Sequence, residues 1–202
     1  MPAIKISLIQ KLQAFIKRKT SQKYRFNQQY EKSNWEGLKG LGELGRYSII
    51  VGYAYYFFKA PSILDLGCGE GILQERLAAT NYTSYLGIDF SEVAIANAKK
   101  LENSNTFFAV GDLNYYTAEG IYDLIIYNES LYYLSNPAEV VSKLFPHLSK
   151  DGLFIFSLVD KHGKEQTGLW ETLATILHLL ESTKVTNSAG HLWTINVYKV
   201  KY

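Results

Sequence analysis

Ser62 to Gly71, Ser-Ile-Leu-Asp-Leu-Gly-Cys-Gly-Glu-Gly, constrains this chain more than any other stretch. Ile63, Leu64 and Leu66 make a short apolar run of the kind buried in a parallel sheet, and Gly67, Gly69 and Gly71 follow at once. The pattern predicts a strand that ends in a Gly-rich loop, with a helix behind it carrying Ile72, Leu73 and Leu77 on one face. Glycine removes side chains where a ligand must lie against backbone, and the first free N–H groups of the helix are expected to aim at the same spot.

Strands and helices alternate from there. Tyr85 to Asp89 is an apolar run ending in an acid, followed by a helix that starts at Ser91 with Glu92 in its first turn. Thr106 to Val110 reads as a third strand, ending in Gly111-Asp112, and Tyr122 to Tyr127 as a fourth, ending in Asn128-Glu129. Asn136-Pro137 starts a helix with a capping side chain and proline at the first position, and Pro146 ends or kinks it. A turn at Lys150-Asp151-Gly152 leads into a fifth strand, Leu153 to Val159; Glu165 to Glu181 reads as a helix, Thr183 to Ser188 as a faint strand, and His191 to Val200 as an antiparallel strand near an edge. Such alternation implies a parallel sheet with helices on both faces, and ligands in such sheets bind at the carboxyl ends of the strands. Asp65, Asp89, Asp112 and the pair Asn128 and Glu129 all stand at or just past those ends.

A nicotinamide dinucleotide fold shares the strand, the glycines and the second-strand acid, but seats its pyrophosphate with the spacing G-x-G-x-x-G. Here the spacing is G-x-G-x-G, and Asp65 precedes the first glycine by two residues. A carboxylate there repels pyrophosphate and suits a ligand carrying an ammonium group. These residues resemble the class I S-adenosylmethionine-dependent methyltransferases. The resemblance covers about Ser62 to Val159 and implies an α/β fold: a Rossmann-like three-layer sandwich with a mostly parallel seven-stranded sheet and an antiparallel last strand. It implies S-adenosyl-L-methionine as cofactor, with Asp65, Gly67, Cys68, Gly69 and Gly71 along its methionine part, Asp89 on the ribose hydroxyls, Phe90, Asp112 and Leu113 at the adenine, and Asn128 beside the methyl group. Asn128-Glu129-Ser-Leu-Tyr132-Tyr133-Leu is also similar to a stretch of NodS-like N-methyltransferases, which methylate an amine on a sugar.

The candidates for acting on the acceptor are Glu129, Tyr133 and His162. Glu129 follows the fourth strand and would hold and deprotonate an amine; its structural alternative is a hydrogen bond to the loop or to the cofactor's own ammonium. Tyr132 and Tyr133 are expected to divide between packing and pocket lining, Cys68 to fill a tight loop, and His147, His178 and His191 to have no function. No cluster of carboxylates, Cys or His suggests a metal.

The segment ahead of the core is expected to be an N-terminal helical addition or lid over residues 1–60, with the cofactor-binding domain over 61–202. Ile4, Leu8, Leu12 and Phe15 recur at helical spacing opposite Lys5, Lys11, Lys17 and Arg18, a basic amphipathic helix suited to the domain's own surface or, less often, to an anionic membrane surface. Ser33 and Glu36 have the form of a capping box; Gly37, Gly40, Gly42 and Gly45 are expected to interrupt any helix until Arg46 to Lys59, which Pro61 stops. Tyr30, Trp35, Arg46 and Tyr47 are expected to close over the ligand.

With 202 residues, 47% hydrophobic and 20% charged, the chain can bury one sizeable core, and a net charge of +2 argues against nucleic acid as a partner. One cysteine excludes an intrachain disulfide framework, which makes a cytoplasmic location the default. The leading expectation is methyl transfer to nitrogen or oxygen of a small molecule, an amine or amino sugar above all, by a monomer or homodimer. The alternatives are a non-catalytic cofactor-binding partner subunit and a protein methyltransferase.

Overall fold

The computed structural model describes residues 22–77, 82–160 and 166–201. The basic amphipathic segment Ile4 to Ile16 and His162 lie outside them. A helix over residues 22–31 (α1) leads through a 3-10 turn, Glu36–Lys39, into α2, Leu41–Phe57. Then come β1 (Ser62–Leu66), α3 (Ile72–Leu77), β2 (Ser84–Asp89), α4 (Glu92–Ala98), β3 (Thr106–Val110), β4 (Tyr122–Asn128), α5 (Pro137–Ser142), β5 (Leu148–Val159), α6 (Thr167–Ala174), β6 (Leu177–Thr186) and β7 (Leu192–Val200).

The strands form one seven-stranded sheet in the order β3-β2-β1-β4-β5-β7-β6. β1 to β5 run parallel and β7 runs antiparallel between β5 and β6. Period-two alternation gives the inner strands β1, β4 and β5 two apolar faces. Ile63, Leu124, Ile126 and Ile155 face one core with Tyr47, Ile50 and Ala54 of α2, Leu73 and Leu77 of α3 and Ile95 of α4. Leu64, Ile125, Tyr127, Phe154 and Phe156 face a second core with Val140 and Val141 of α5 and Leu173 of α6. The three-layer sandwich read from the sequence is thus the fold. Because the strand order switches direction between β1 and β4, the C-terminal residues of β1, Asp65 and Leu66, open at the crossover where chain connections diverge to either side, the place such sheets bind ligands.

Four local expectations are corrected. The capping box does not form: Trp35 occupies the N-cap position of the 3-10 turn without a side-chain bond, and Ser33 takes a positive φ of 56° that ends α1. α2 begins at Leu41, so Gly42 and Gly45 are inside it, where the absence of a side chain at Gly45 matters because a Cβ would stand 2.9 Å from Val185. Lys150 to Gly152 lie within β5, at a register shift opposite Tyr122 and Leu124, rather than in a turn. The helix expected to Glu181 stops at Ala174, and Leu177–Thr186 is β6, paired along its length with β7.

Gly87 in β2 shows how tightly the loop after β1 is seated: a Cβ there would lie 2.6 Å from a ring carbon of Phe108 and 2.9 Å from the Cys68 sulfur. Gly87→Ala is therefore expected to cost about 1–3 kcal/mol by overpacking, measured by urea denaturation; an unchanged midpoint would contradict this packing.

Candidate active site

A cavity of about 650 Å³ lies over the C-terminal ends of β1 to β5 and the N-terminal end of the antiparallel β7. It is lined by Asp65, Gly67, Cys68, Gly69, Asp89, Phe90, Asp112, Leu113, Asn128, Glu129 and Tyr133, so the polar strand ends separated in sequence converge as expected. Gly71 is not among the lining residues; at φ 83° it lets the loop pack on the 3-10 turn Lys99–Leu101 that follows α4 and on β3, where a Cβ would lie 2.8 Å from Leu101 and 3.1 Å from Phe108.

The loop's own amides are mostly engaged inward. The N–H groups of Gly67 and Cys68 donate to the Ile88 carbonyl, Gly71 N–H to the Cys68 carbonyl, and Gly69 N–H to Asp89 Oδ2 at 3.0 Å. The amides of Gly67, Cys68, Gly69 and Gly71 are thus occupied within the fold, and the expectation placed on the first N–H groups of α3 concerns other donors, those of Ile72 and Leu73, which line the cavity. What the loop offers is close approach. At Gly67, φ 91°, a Cβ would stand 2.3 Å from the Ser130 Cβ; at Gly69, φ 55°, 2.9 Å from the Tyr30 hydroxyl.

The carboxylates carry the electrostatics. Asp65 is 1% exposed; Tyr85 donates its hydroxyl to Oδ2 at 2.5 Å, while Oδ1 is buried and has no hydrogen-bond partner among the described residues. Burial raises its pKa to about 7, Tyr85 and Arg46 acting against burial and Asp89 adding to it. An orphaned carboxylate oxygen facing a cavity fits a cationic group such as the ammonium of S-adenosylmethionine. Asp89 receives Ser91 N–H on Oδ1 and Gly69 N–H on Oδ2, and burial lifts it to about 6.

Glu129 holds a left-handed φ of 60°, uncommon for a side chain of its size. That turn swings its carboxylate toward β5: Val159 N–H donates to Oε2 at 3.1 Å, Ser157 hydroxyl to Oε1 at 3.3 Å and Tyr132 hydroxyl to Oε2 at 3.3 Å. Burial raises it to about 7 despite those bonds and the field of Arg46. Tyr132 and Tyr133 both line the cavity, their rings edge to face at 4.6 Å, with Tyr133 half exposed.

The segment before β1 roofs the cavity, and Tyr30, Trp35, Arg46 and Tyr47 all line it. Phe26 of α1 sits among Trp35, Phe90 and Tyr133 with ring centroids 5.1–5.9 Å away. Lys23 pairs with Glu92, and Ser91 donates its hydroxyl to Asn27 Oδ1, tying α1 to the start of α4. Arg46, 2% exposed, donates through Nε to Glu43, through one terminal nitrogen to Asn128 and through the other to the Tyr47 hydroxyl. Sequence reasoning placed Arg46 in the roof but missed its partner Glu43, although these two are the only charges in α2 and stand at i,i+3. His191 was set aside from the sequence; it lines the cavity beside Trp193. Among the described residues no three or more His, Cys, Asp or Glu side chains gather as metal ligands would, and no helix is long and apolar enough to cross a membrane.

A methyltransferase-domain family model matches residues 11–194. A malonyl-[acyl-carrier protein] O-methyltransferase of Bacillus cereus is 39% identical over 97 residues, 47% of this chain and 36% of that protein, so the match spans about a third of such a relative's length. Among solved structures, N-methyltransferase NodS from Bradyrhizobium japonicum WM9 with S-adenosyl-L-homocysteine superposes with a TM-score of 0.71 at 20% identity, covering 83% of this chain and 92% of NodS. Magnesium protoporphyrin IX methyltransferase from Synechocystis PCC 6803 gives 0.72 at 17% identity, covering 90% and 99%. At those identities the two structures speak for the fold.

The raised carboxyl groups fix a pH dependence. Asp65 and Asp89 move up from 3.8 and Glu129 from 4.5, so between about pH 4 and 7 the folded protein holds protons that the unfolded chain has released. Stability of the ligand-free protein is expected to fall as pH rises through that window. Because an ammonium group favours ionised Asp65, S-adenosylhomocysteine should raise the melting temperature more at pH 8 than at pH 5.5. Calorimetric scans showing a ligand-free protein more stable at pH 8 would contradict this electrostatic picture.

Proposed function

The chain belongs to the class I S-adenosylmethionine-dependent methyltransferase family, and on that premise we propose that it transfers the cofactor's methyl group to an amine nitrogen of a small-molecule acceptor. The observation that carries the reading is the placement of Glu129, whose carboxylate is bonded to β5 through Val159 and Ser157. It therefore leans away from Asp65 and Asp89, on strands β1 and β2, and toward the part of the cavity left for an acceptor.

S-adenosylmethionine, when bound, supplies a methyl group already activated on a sulfonium. Asp65 Oδ1 would hold the cofactor's ammonium and Asp89 its ribose hydroxyls, with Phe90, Asp112 and Leu113 available to the adenine and Asn128 to the methyl end. Glu129 receives the acceptor's ammonium, takes one proton from it and leaves a nitrogen lone pair directed at the methyl group. A carboxyl lifted to about 7 is matched to that exchange at neutral pH. Phe26, Tyr30 and Trp35 exclude water, and most of the acceleration comes from alignment within the closed cavity.

A second reading, an oxygen acceptor, is favoured by the Bacillus cereus relative, whose name specifies O-methylation, and by Arg46, a buried cation able to hold a carboxylate. Against it, Arg46 already donates to Glu43, Asn128 and Tyr47. Product release measured over amines, amino sugars, phenols, carboxylic acids and acyl carrier protein thioesters decides between the two. Glu129→Gln keeps the shape and removes the base: turnover of an amine should drop roughly 10²-fold or more with S-adenosylhomocysteine affinity nearly unchanged by calorimetry. Loss of cofactor binding in step with activity, or full turnover, removes Glu129 from this role.

A further inference from the structure

The cavity extends past Glu129 to a part that the cofactor residues leave free. Asp65, Asp89 and Asp112 stand at β1, β2 and β3, on one side of β4. On the other side, Val159 at the end of β5 pairs with Trp193 of β7, and Val159, Trp193 and His191 all line the cavity. Residues i and i+2 of an extended chain share a face, and the rings of His191 and Trp193 meet edge to face at 5.8 Å. Glu129, Val159, Trp193 and His191 thus follow one another across β4, β5 and β7.

This end is built by Asn187. Its Oδ1 accepts from the N–H groups of Ala189 and His191, and its Nδ2 donates to the Gly42 carbonyl at 3.0 Å, joining the β6–β7 turn to the first turn of α2 beside Glu43. With Oδ1 taking two backbone donors, the amide orientation is fixed. Asn187 Nδ2 also stands 3.5 Å from His191 Nδ1, which leaves Nε2 as the ring nitrogen away from Asn187.

We propose that the β7 end of the cavity is a recognition subsite for the body of the acceptor, in which His191 donates through Nε2 to an oxygen carried on a ring-sized amine. The proposal rests on the amine reading above. Neighbouring strands lie about 4.8 Å apart, so β4 and β7 are about 10 Å apart across the sheet, and His191 stands two residues beyond the Val159–Trp193 pair; it is the body of the acceptor, rather than an amine held by Glu129, that meets His191. Trp193 supplies an apolar wall beside the acceptor's ring.

The test is steady-state kinetics of the full chain at saturating S-adenosylmethionine, with glucosamine and 4-aminocyclohexanol as oxygen-bearing probes and cyclohexylamine as the ring without oxygen. His191 is exposed, so His191→Ala is expected to fold. It should raise KM for the oxygen-bearing amines roughly tenfold, the loss of one hydrogen bond, while kcat, S-adenosylhomocysteine affinity and KM for cyclohexylamine stay the same. His191→Gln, which restores a donor, should recover most of the loss. An unchanged KM for the oxygen-bearing amines in His191→Ala, or an equal loss on all three, overturns the subsite while leaving the amine reading in place. A wild-type enzyme that methylates none of the three and works on acids or phenols instead overturns the amine reading itself, and the subsite with it.

Discussion

The carboxylate of Asp65 near the end of β1, beside the switch to β4, is the constraint around which the site is arranged. Leu64 and Leu66 bury the strand on one face, and Ile63 and Asp65 turn to the other, where Asp65 meets Tyr85 of the neighbouring strand and, among the described residues, has no hydrogen-bond partner for its second oxygen. A buried carboxylate so poorly satisfied is costly in the ligand-free fold. It is tolerated because the surrounding packing holds it: Gly67 admits Ser130 at close range, Gly87 admits Phe108 and Cys68, and the loop amides bond inward instead of softening the carboxylate. Strain of this kind at a site is ordinarily relieved by the ligand it selects.

The roof answers the floor. α1, the 3-10 turn and α2 bring aromatic rings and Arg46 over three raised acids, and Arg46 is held in place by Glu43, Asn128 and Tyr47. The same helix that delivers Arg46 buries Tyr47, Ile50 and Ala54 in the core, so the roof's inner end is as firmly seated as the sheet. Its outer end is held by the exposed pair Lys23 and Glu92, Asn27 on Ser91, and the Phe26 contacts. Exposed ion pairs contribute little, so opening for ligand exchange is cheaper at α1 than at α2.

Much of this was legible in the sequence because it is local. β1 to β4 were readable as short apolar runs ending in polar residues, and the helix starts at Ser91 and Asn136 were readable as caps, which the structure forms with Ala94 and Glu139 N–H. What was not legible depends on tertiary pairing. Leu-His-Leu-Leu-Glu at 177–181 has the composition of a helix, but pairing with β7 makes it a strand, and a register shift between Leu179 and Glu181 breaks the alternation that would have announced it. Ser33 and Glu36 have capping-box spacing, yet a left-handed Ser33 serves to end α1. His191 gave no signal by itself; the signal was the Asn187-to-Gly190 turn before it, which aims its ring.

Substitution of the central carboxylate is the most direct measurement. Asp65→Asn keeps an acceptor for the Tyr85 hydroxyl and removes the charge, so the ligand-free protein at pH 8 should become more stable in thermal unfolding, while S-adenosylhomocysteine affinity by calorimetry should fall at least about tenfold, the worth of a hydrogen bond to a charged group. The two effects have opposite signs, which no general loss of packing produces. Unchanged affinity for S-adenosylhomocysteine in Asp65→Asn would contradict the assignment of that oxygen to the cofactor's ammonium.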